Sequence, residues 1–311
     1  EYSYQNLATE ILYSSLQKEQ LAPSYLFTGP PGVGQKEIAL RFLEGVASQQ
    51  SFDNNTRRLI ELGNHPDLLV IEPTYLHQGK LISKSIAKKE NLKSQLKPQI
   101  RLEQIKDLKV FLAKKPIKSK VSMILIEDID SINESSSNAL LKTIEEPNTG
   151  LLILLSSRPE KLLDTIKSRC QIVPFKPYNS QLLREKIDKY PLEKEIKENL
   201  EELLSISNGS PQLLESNLQN LSSVPKSLWA SIHSIQRKKP LDALLLAKEI
   251  TENLDLEQQL LLIDLMQEYY WKKTMSSNFV RSLENLRRNL LSYINPRVAW
   301  EIGLIKLTKI E

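Results

Sequence analysis

Eight residues, Gly29-Pro30-Pro31-Gly32-Val33-Gly34-Gln35-Lys36, have the glycine spacing of a phosphate-binding loop. The working pattern is G-x-x-x-x-G-K-[ST]. Its backbone N–H groups cradle the phosphates, its lysine reaches the β/γ-phosphates, and its hydroxyl holds Mg²⁺. Here Gln35 stands in the lysine position and Lys36 in the hydroxyl position. Lys36 cannot take over from the next position, because one residue turns a side chain by about 100° around a helix axis. Gln35 is neutral and cannot offset charge developing on a phosphate. Gly29, Gly32 and Gly34 therefore predict the fold of a nucleotide site from which hydrolysis has been lost, as in a subunit of a larger machine. Two readings stay open. Backbone N–H groups hold ATP or ADP without turnover, or the glycines make a tight strand-to-helix turn with no ligand.

A second candidate is the apolar run Ile124-Leu125-Ile126 followed by Glu127 and Asp128. A strand that ends in Asp then Glu presents one carboxylate to a magnesium ion and the other to a water. The order here is reversed, and Asp128 is one methylene too short for the water-polarising role. The pair reads better as two solvated acids at a strand end. A third candidate is Arg169 of Ser168-Arg169-Cys170, which leads straight into an apolar segment. Alone it is an ordinary surface cation; at a sheet edge it could face a neighbouring subunit, where an arginine supplied in trans stabilises a transferring phosphoryl group. His65, His77 and His233 are scattered, with no metal-ligand spacing and no Ser-His-Asp or Cys-His arrangement.

The elements that must carry these residues are legible from apolar spacing. Residues 4–18 read as a helix, Ser24–Thr28 as a strand running into the glycine loop, and 35–48 as the next helix. Asp67–Glu72, Val121–Ile126, Leu151–Ser156 and Gln171–Phe175 read as strands, several apolar throughout. Arg101–Ala113 and Asn133–Glu146 read as helices, the second stopped by Pro147. Residues 74–98 have weak periodicity and many lysines, which suggests a long, mobile insertion. Apolar strands alternating with helices predict a parallel sheet covered on both faces. After Pro177 the strand signals stop. Residues 180–220 look like short helices broken at Asn208-Gly209, and 222–311 read as helix punctuated by Pro225, Pro240 and Pro296. Leu244, Leu245, Ala247, Ile250 and Leu254 make one apolar stripe; Leu260, Leu261, Ile263, Leu265 and Met266 make a broader one.

The chain of 311 residues has room for two or three domains. No apolar run approaches the ~18 residues of a membrane span. No signal peptide is visible; the chain starts at Glu1, so residues before it are expected to be missing. One cysteine, Cys170, excludes an internal disulfide and a multi-cysteine zinc site, and fits a reducing cytoplasm. The net charge of +4 is uneven. Residues 80–120 hold 13 Lys/Arg against Glu90, Glu103 and Asp107, so the remainder of the chain is net acidic. Such a block attracts nucleic acid or an acidic partner, or is a solvated lysine-rich surface. Only Tyr75 and Phe111 are aromatic between 60 and 120, too few for a base-stacking platform.

Several of these segments together resemble the clamp-loader subunits of the AAA+ ATPase group, above all the delta-prime subunits of the bacterial DNA polymerase III clamp loader. They are Tyr25–Gly34 (YLFTGPPGVG), Gly63–Asp67 (GNHPD), Asn138–Pro147 (NALLKTIEEP), Ser168-Arg169-Cys170 and Asn295-Pro296-Arg297. The resemblance covers nearly the whole chain and is strongest over 22–178. It implies an α/β plus all-α protein: an AAA+ parallel-sheet P-loop domain at 1–178, a small helical lid at 179–221 and a C-terminal helical collar at 222–311, the oligomerisation element. It also implies a rigid stator that does not hydrolyse ATP by itself. Arg169 would complete the ATP site of the adjacent motor subunit, Ser156 would hold the first polar sensor position, and Gln212 would replace a second arginine sensor. The implied partners are the motor subunits, the other non-motor subunit, the sliding clamp and primed DNA, in a bacterial cytoplasm at the nucleoid-associated replisome, with no membrane. No cofactor is required. Many relatives carry a four-cysteine zinc module near 50–65; this chain has no cysteine there, so no zinc is expected. Two other functions compete: a motor or DNA-remodelling AAA+ ATPase that hydrolyses ATP with an atypical P-loop, and a basic DNA-binding protein acting through 80–120.

Overall fold

The computed structural model describes residues 4–48, 53–77, 79–90, 97–146, 150–187, 194–222, 224–237, 239–292 and 294–309. Pro147 and residues 91–96 of the lysine-rich insertion lie outside them. The chain divides into two compact units, Glu1–Pro177 and Tyr178–Glu311.

In chain order the first unit comprises α1 (Asn6–Gln17), β1 (Ser24–Thr28), α2 (Gln35–Ala47), α3 (Asn54–Glu61), β2 (Leu68–Ile71), β3 (Thr74–His77), β4 (Lys80–Ser83), α4 (Lys84–Lys89), α5 (Leu102–Leu112), β5 (Met123–Ile126), α6 (Glu134–Glu145), β6 (Leu151–Ser156), α7 (Asp164–Lys167) and β7 (Gln171–Pro174). Five strands form one parallel sheet in the order β2-β5-β6-β1-β7. The centre of the sheet is buried on both faces, which is why β5 and β6 are apolar at every position but Ser156. Ile124, Leu152, Leu154 and Leu26 pack with Ile105 and Leu108 of α5 and Leu140 and Ile144 of α6. Crossover order then puts the P-loop, which follows β1, and Glu127, which follows β5, at the same carboxyl end of the sheet. Ligands of open α/β sheets bind at that end.

One expectation fails here, and one element was not foreseen. The described part of 74–98 is not a loose insertion: β3 and β4 form an antiparallel hairpin that runs directly into α4. Cross-strand pairing of Tyr75 with Ile82 and Leu76 with Leu81 supplies order that a helical or core-strand period does not reveal. The helix α3 also went unread. Its signal is the cap: the Asp53 carboxylate accepts from the Asn55 and Thr56 N–H groups, both at 3.2 Å.

The second unit is helical among its described residues: α8 (Ser180–Ile187), α9 (Lys194–Glu198), α10 (Leu200–Ile206), α11 (Pro211–Ser222), α12 (Lys226–His233), α13 (Pro240–Asn253), α14 (Leu256–Thr274), α15 (Ser277–Leu291) and α16 (Pro296–Leu307). Pro240 and Pro296 each stand at the first helical position, where a missing N–H costs nothing. Helix α15 packs against α14 and α16, and α16 against α13. Trp300 is fully buried, its indole N–H donating to Gln259 Oε1 at 2.9 Å, while Gln259 Nε2 donates to the Leu254 carbonyl. The stripe on α13 is offset from expectation. Ala243, Leu246, Ala247 and Ile250 face inward, and Leu245 is 61% exposed.

Candidate functional site

The glycine loop adopts the backbone that its sequence calls for, and each glycine is there for a local reason. Gly29 has φ +156°, and a Cβ on it would fall 2.4 Å from the Phe175 carbonyl oxygen. Gly34 has φ +98° and stands immediately before α2 in the left-handed region. Gly32, at φ +74°, is left-handed too.

Gln35 and Lys36 then fill the space around this loop with the chain's own groups. Gln35 is buried, and its Nε2 donates to the carbonyls of Gly29 (3.2 Å) and Ser156 (3.3 Å). The side chain in the lysine position thus ties the loop to itself. Lys36 Nζ lies 2.6 Å from Glu127 Oε1. Asp128 takes a left-handed backbone (φ 51°) and receives Lys84 Nζ at 3.1 Å. The reading of two solvated acids holds only in part: Asp128 stays partly exposed, whereas Glu127 is largely buried. Both are ion-paired, one by the residue in the hydroxyl position and the other by the helix of the lysine-rich segment. Burial pushes the Glu127 carboxyl above its usual range, and the Lys36 ammonium pulls it part of the way back. A divalent cation here would need a hydroxyl and free carboxylate oxygens. Two ammonium groups stand in place of that donor set, so the residues present do not fit magnesium.

Three residues of this end escaped the sequence reading. Asp130 accepts from Ser156 Oγ (2.6 Å), Ser157 N (2.7 Å), Ser157 Oγ (3.0 Å) and Arg158 N (2.9 Å). Ser156, the expected sensor position, is fully buried and spends its hydroxyl proton on that carboxylate. Asp130 was findable: it is a third acid two residues beyond Asp128, just after an apolar strand. Gln5 is the second. Its amide donates to the carbonyls of Val33 (3.3 Å) and Lys176 (2.8 Å) and accepts from Lys176 N (3.0 Å). It holds the glycine loop to the segment after β7, and no local pattern announces a partner 171 residues away. Lys84 is the third, hidden in the segment read as mobile.

Arg169 is elsewhere. Tyr25 of β1 is level with Gln171 of β7. The P-loop follows the far end of β1, and Arg169 precedes β7, so the two lie at opposite ends of the sheet. At about 3.3 Å per strand residue the separation is roughly 20 Å. Arg169 therefore cannot serve the P-loop of its own chain. Its guanidinium is paired with Glu145 (2.7 Å) and donates to the Thr165 carbonyl (3.0 Å), and both charged side chains are substantially exposed. The neighbouring Cys170 packs against the sheet core, and burial pushes its thiol up to about 11.

His65 and Asp67 make structure. His65 is buried, which lowers its pKa, and its Nδ1 accepts from the Asp67 N–H at 3.2 Å. Asp67 anchors a loop through three backbone N–H groups. Among the described residues no three His, Cys, Asp or Glu side chains cluster as a metal site, and no helix is long and apolar enough to cross a membrane. Gln212 is exposed on the first turn of α11, after Ser210, whose hydroxyl accepts from the Leu213 N–H at 3.1 Å.

Comparison with known proteins bears on the whole chain. The family model described as "DNA polymerase III, delta subunit" matches residues 4–179, and that described as "Cyanobacterial DNA polymerase III delta prime, C-terminal domain" matches 181–307. The DNA polymerase III subunit delta' of Bacillus subtilis is 30% identical over 66% of this chain and 57% of its own length. That of Pseudomonas aeruginosa is 31% identical over 65% and 58%. The chain thus spans somewhat over half the length of these relatives. A solved DNA polymerase III, gamma subunit-related protein from Thermotoga maritima superposes with a TM-score of 0.54 at 16% identity, covering 96% of this chain and 98% of that one. This likeness is one of fold: a parallel α/β sheet unit followed by helices, as the resemblance implied. With both units matched in sequence, the chain belongs to the DNA polymerase III delta-subunit family and is of its delta-prime type.

Proposed function

We propose that this protein is the non-hydrolysing stator of a DNA polymerase III clamp loader. It joins motor subunits and a second non-motor subunit in the bacterial cytoplasm, presents Arg169 to the nucleotide of a neighbouring motor subunit, and so helps place the sliding clamp on primed DNA. The helices from 222 onward are its oligomerisation element. The observation that carries the reading is the filled P-loop end. Gln35 sits on the loop's own carbonyls, and Lys36 and Lys84 neutralise the two acids. Catalysis of phosphoryl transfer is positioning plus charge stabilisation. A site whose cations are already spent on its own carboxylates can do neither for a bound nucleotide, and no zinc or magnesium is required of it. Arg169 supports the reading: its place at the far end of the sheet keeps it from the P-loop of its own chain, and its exposed guanidinium is open to a neighbour. Steady-state ATP hydrolysis by the isolated chain, and then by the complex reconstituted with motor subunits, tests it. The isolated chain should give background rates and the complex a rate that depends on Arg169. A robust magnesium-dependent rate from the chain alone would favour the atypical motor instead.

A further inference from the structure

A second basic feature lies at the other end of the sheet and has no part in the nucleotide chemistry. The connection from α5 to β5 reads Lys114-Lys115-Pro116-Ile117-Lys118-Ser119-Lys120. It is held with unusual firmness for a surface loop. The buried Asp67 carboxylate accepts from the N–H groups of Ile117 (2.6 Å), Lys118 (2.6 Å) and Ser119 (2.7 Å). Burial alone would raise the pKa of this carboxyl; the three backbone donors outweigh it and hold the pKa below the usual value. On this fixed loop Ile117 is 80% exposed. Lys84 and Lys109, elsewhere in the basic block, have carboxylate partners. Lys114, Lys115, Lys118 and Lys120 are exposed, and among the described residues none of the four has one. The loop also lines a cavity of about 520 Å³ through Lys114, Lys115 and Lys120, together with Leu21, Leu112 and Leu151. Gly150 closes the lining at φ +93°, where a Cβ would strike the Ser122 carbonyl at 2.4 Å.

We propose that this loop and cavity form a docking site for an acidic peptide segment of a partner protein, whose carboxylates meet the four lysines and whose aliphatic side chains pack on Ile117 and the cavity lining. Charge sets the sign of the occupant, and the apolar surface sets its class. A nucleic-acid backbone would use the lysines but gain nothing from Ile117 or the leucines. The loop offers neither an arginine fork for phosphate nor an aromatic ring for a base. A loop already fixed by Asp67 has little left to order on binding, which favours affinity. The inference stands apart from the stator reading.

Fluorescence anisotropy on the full chain tests it with three probes: a short peptide alternating Glu and Leu, a poly-Glu peptide of equal charge, and a short DNA duplex. The Glu/Leu peptide should bind most tightly. Lys115→Glu with Lys118→Glu should abolish binding of both peptides, and Ile117→Ser should weaken the Glu/Leu peptide about tenfold while leaving poly-Glu unchanged. These side chains are exposed, so folding should survive the substitutions. Three results would overturn the proposal: no peptide binding, a Glu/Leu peptide indifferent to Ile117→Ser, or a duplex that binds more tightly than either peptide and is lost with the same lysines.

Discussion

The two ends of the sheet treat their cations differently. At the carboxyl end Lys36, itself 47% exposed, reaches a Glu127 whose side chain is 20% exposed. At the amino end Arg169 meets Glu145 with side-chain exposures of 40% and 50%. A pair of the first kind is part of the structure, since removing one partner strands a half-buried charge. A pair of the second kind contributes about 0–1 kcal/mol and exchanges readily for another anion. Lysine is thus tied into the carboxyl end of the sheet, and arginine at the amino end is left free to trade partners.

Arg169→Ala tests that contrast most severely. If Arg169 serves a neighbour's nucleotide as proposed, its loss should cost about 10³–10⁵ in rate at that site, roughly 4–7 kcal/mol of barrier, and the average over a complex with several sites should fall less. Arg169→Lys should be nearly as poor, lacking the planar fork. Elution of the complex should be unchanged; normal assembly with normal ATPase would make Arg169 a plain surface charge. Next comes Gly29→Ala, which forces a Cβ against the Phe175 carbonyl at a backbone angle unfriendly to L residues. A loss of about 1–3 kcal/mol in urea unfolding is expected, with no effect on Arg169-dependent turnover.

Smaller still is Lys36→Met. Discounted for solvent screening of the half-exposed lysine, it should cost about 1 kcal/mol at neutral pH. The pH dependence has a definite sign. The Glu127 pKa is raised in the fold, so its protonated form is favoured there and its contribution to stability falls as pH rises toward neutrality. Without Lys36 that pKa rises further, so the deficit should be largest at neutral pH, shrink as the pH falls through the raised folded-state pKa, and be gone by about pH 4.3, the ordinary carboxylate range. A deficit that grows on acidification would remove the buried-pair account. The smallest effect belongs to Glu145→Gln, which frees Arg169. It should change unfolding by under about 0.5 kcal/mol and leave complex ATPase at least as fast. A marked loss of activity would mean that Glu145 positions Arg169 rather than parking it.

Much of this was legible in the chain before folding. The strands around the core announced themselves because burial on both faces demands unbroken apolar runs, as in Met123–Ile126 and Leu151–Ser156. The glycine loop was legible because positive φ angles and close backbone approach restrict residue choice. What stayed hidden was pairing across long sequence separations. Nothing near Lys36 names Glu127, nothing near Gln5 names Lys176, and the β3–β4 hairpin looks formless because its strands are only four residues each and lead into a lysine-rich stretch. A missing lysine could be read as a loss; that its successor would be used as an internal counter-ion could not.

Cys170, beside Arg169, makes the wild-type chain a reporter on itself. It is the one thiol of 311 residues, and with its ionisation held near 11 it stays almost wholly in the inert thiol form at neutral pH. A disulfide reagent should therefore modify it slowly in the closed fold and faster when the corner between α7 and β7 opens. Labelling kinetics, with no engineered probe, would read how often that corner breathes and whether a docked neighbour clamps it shut.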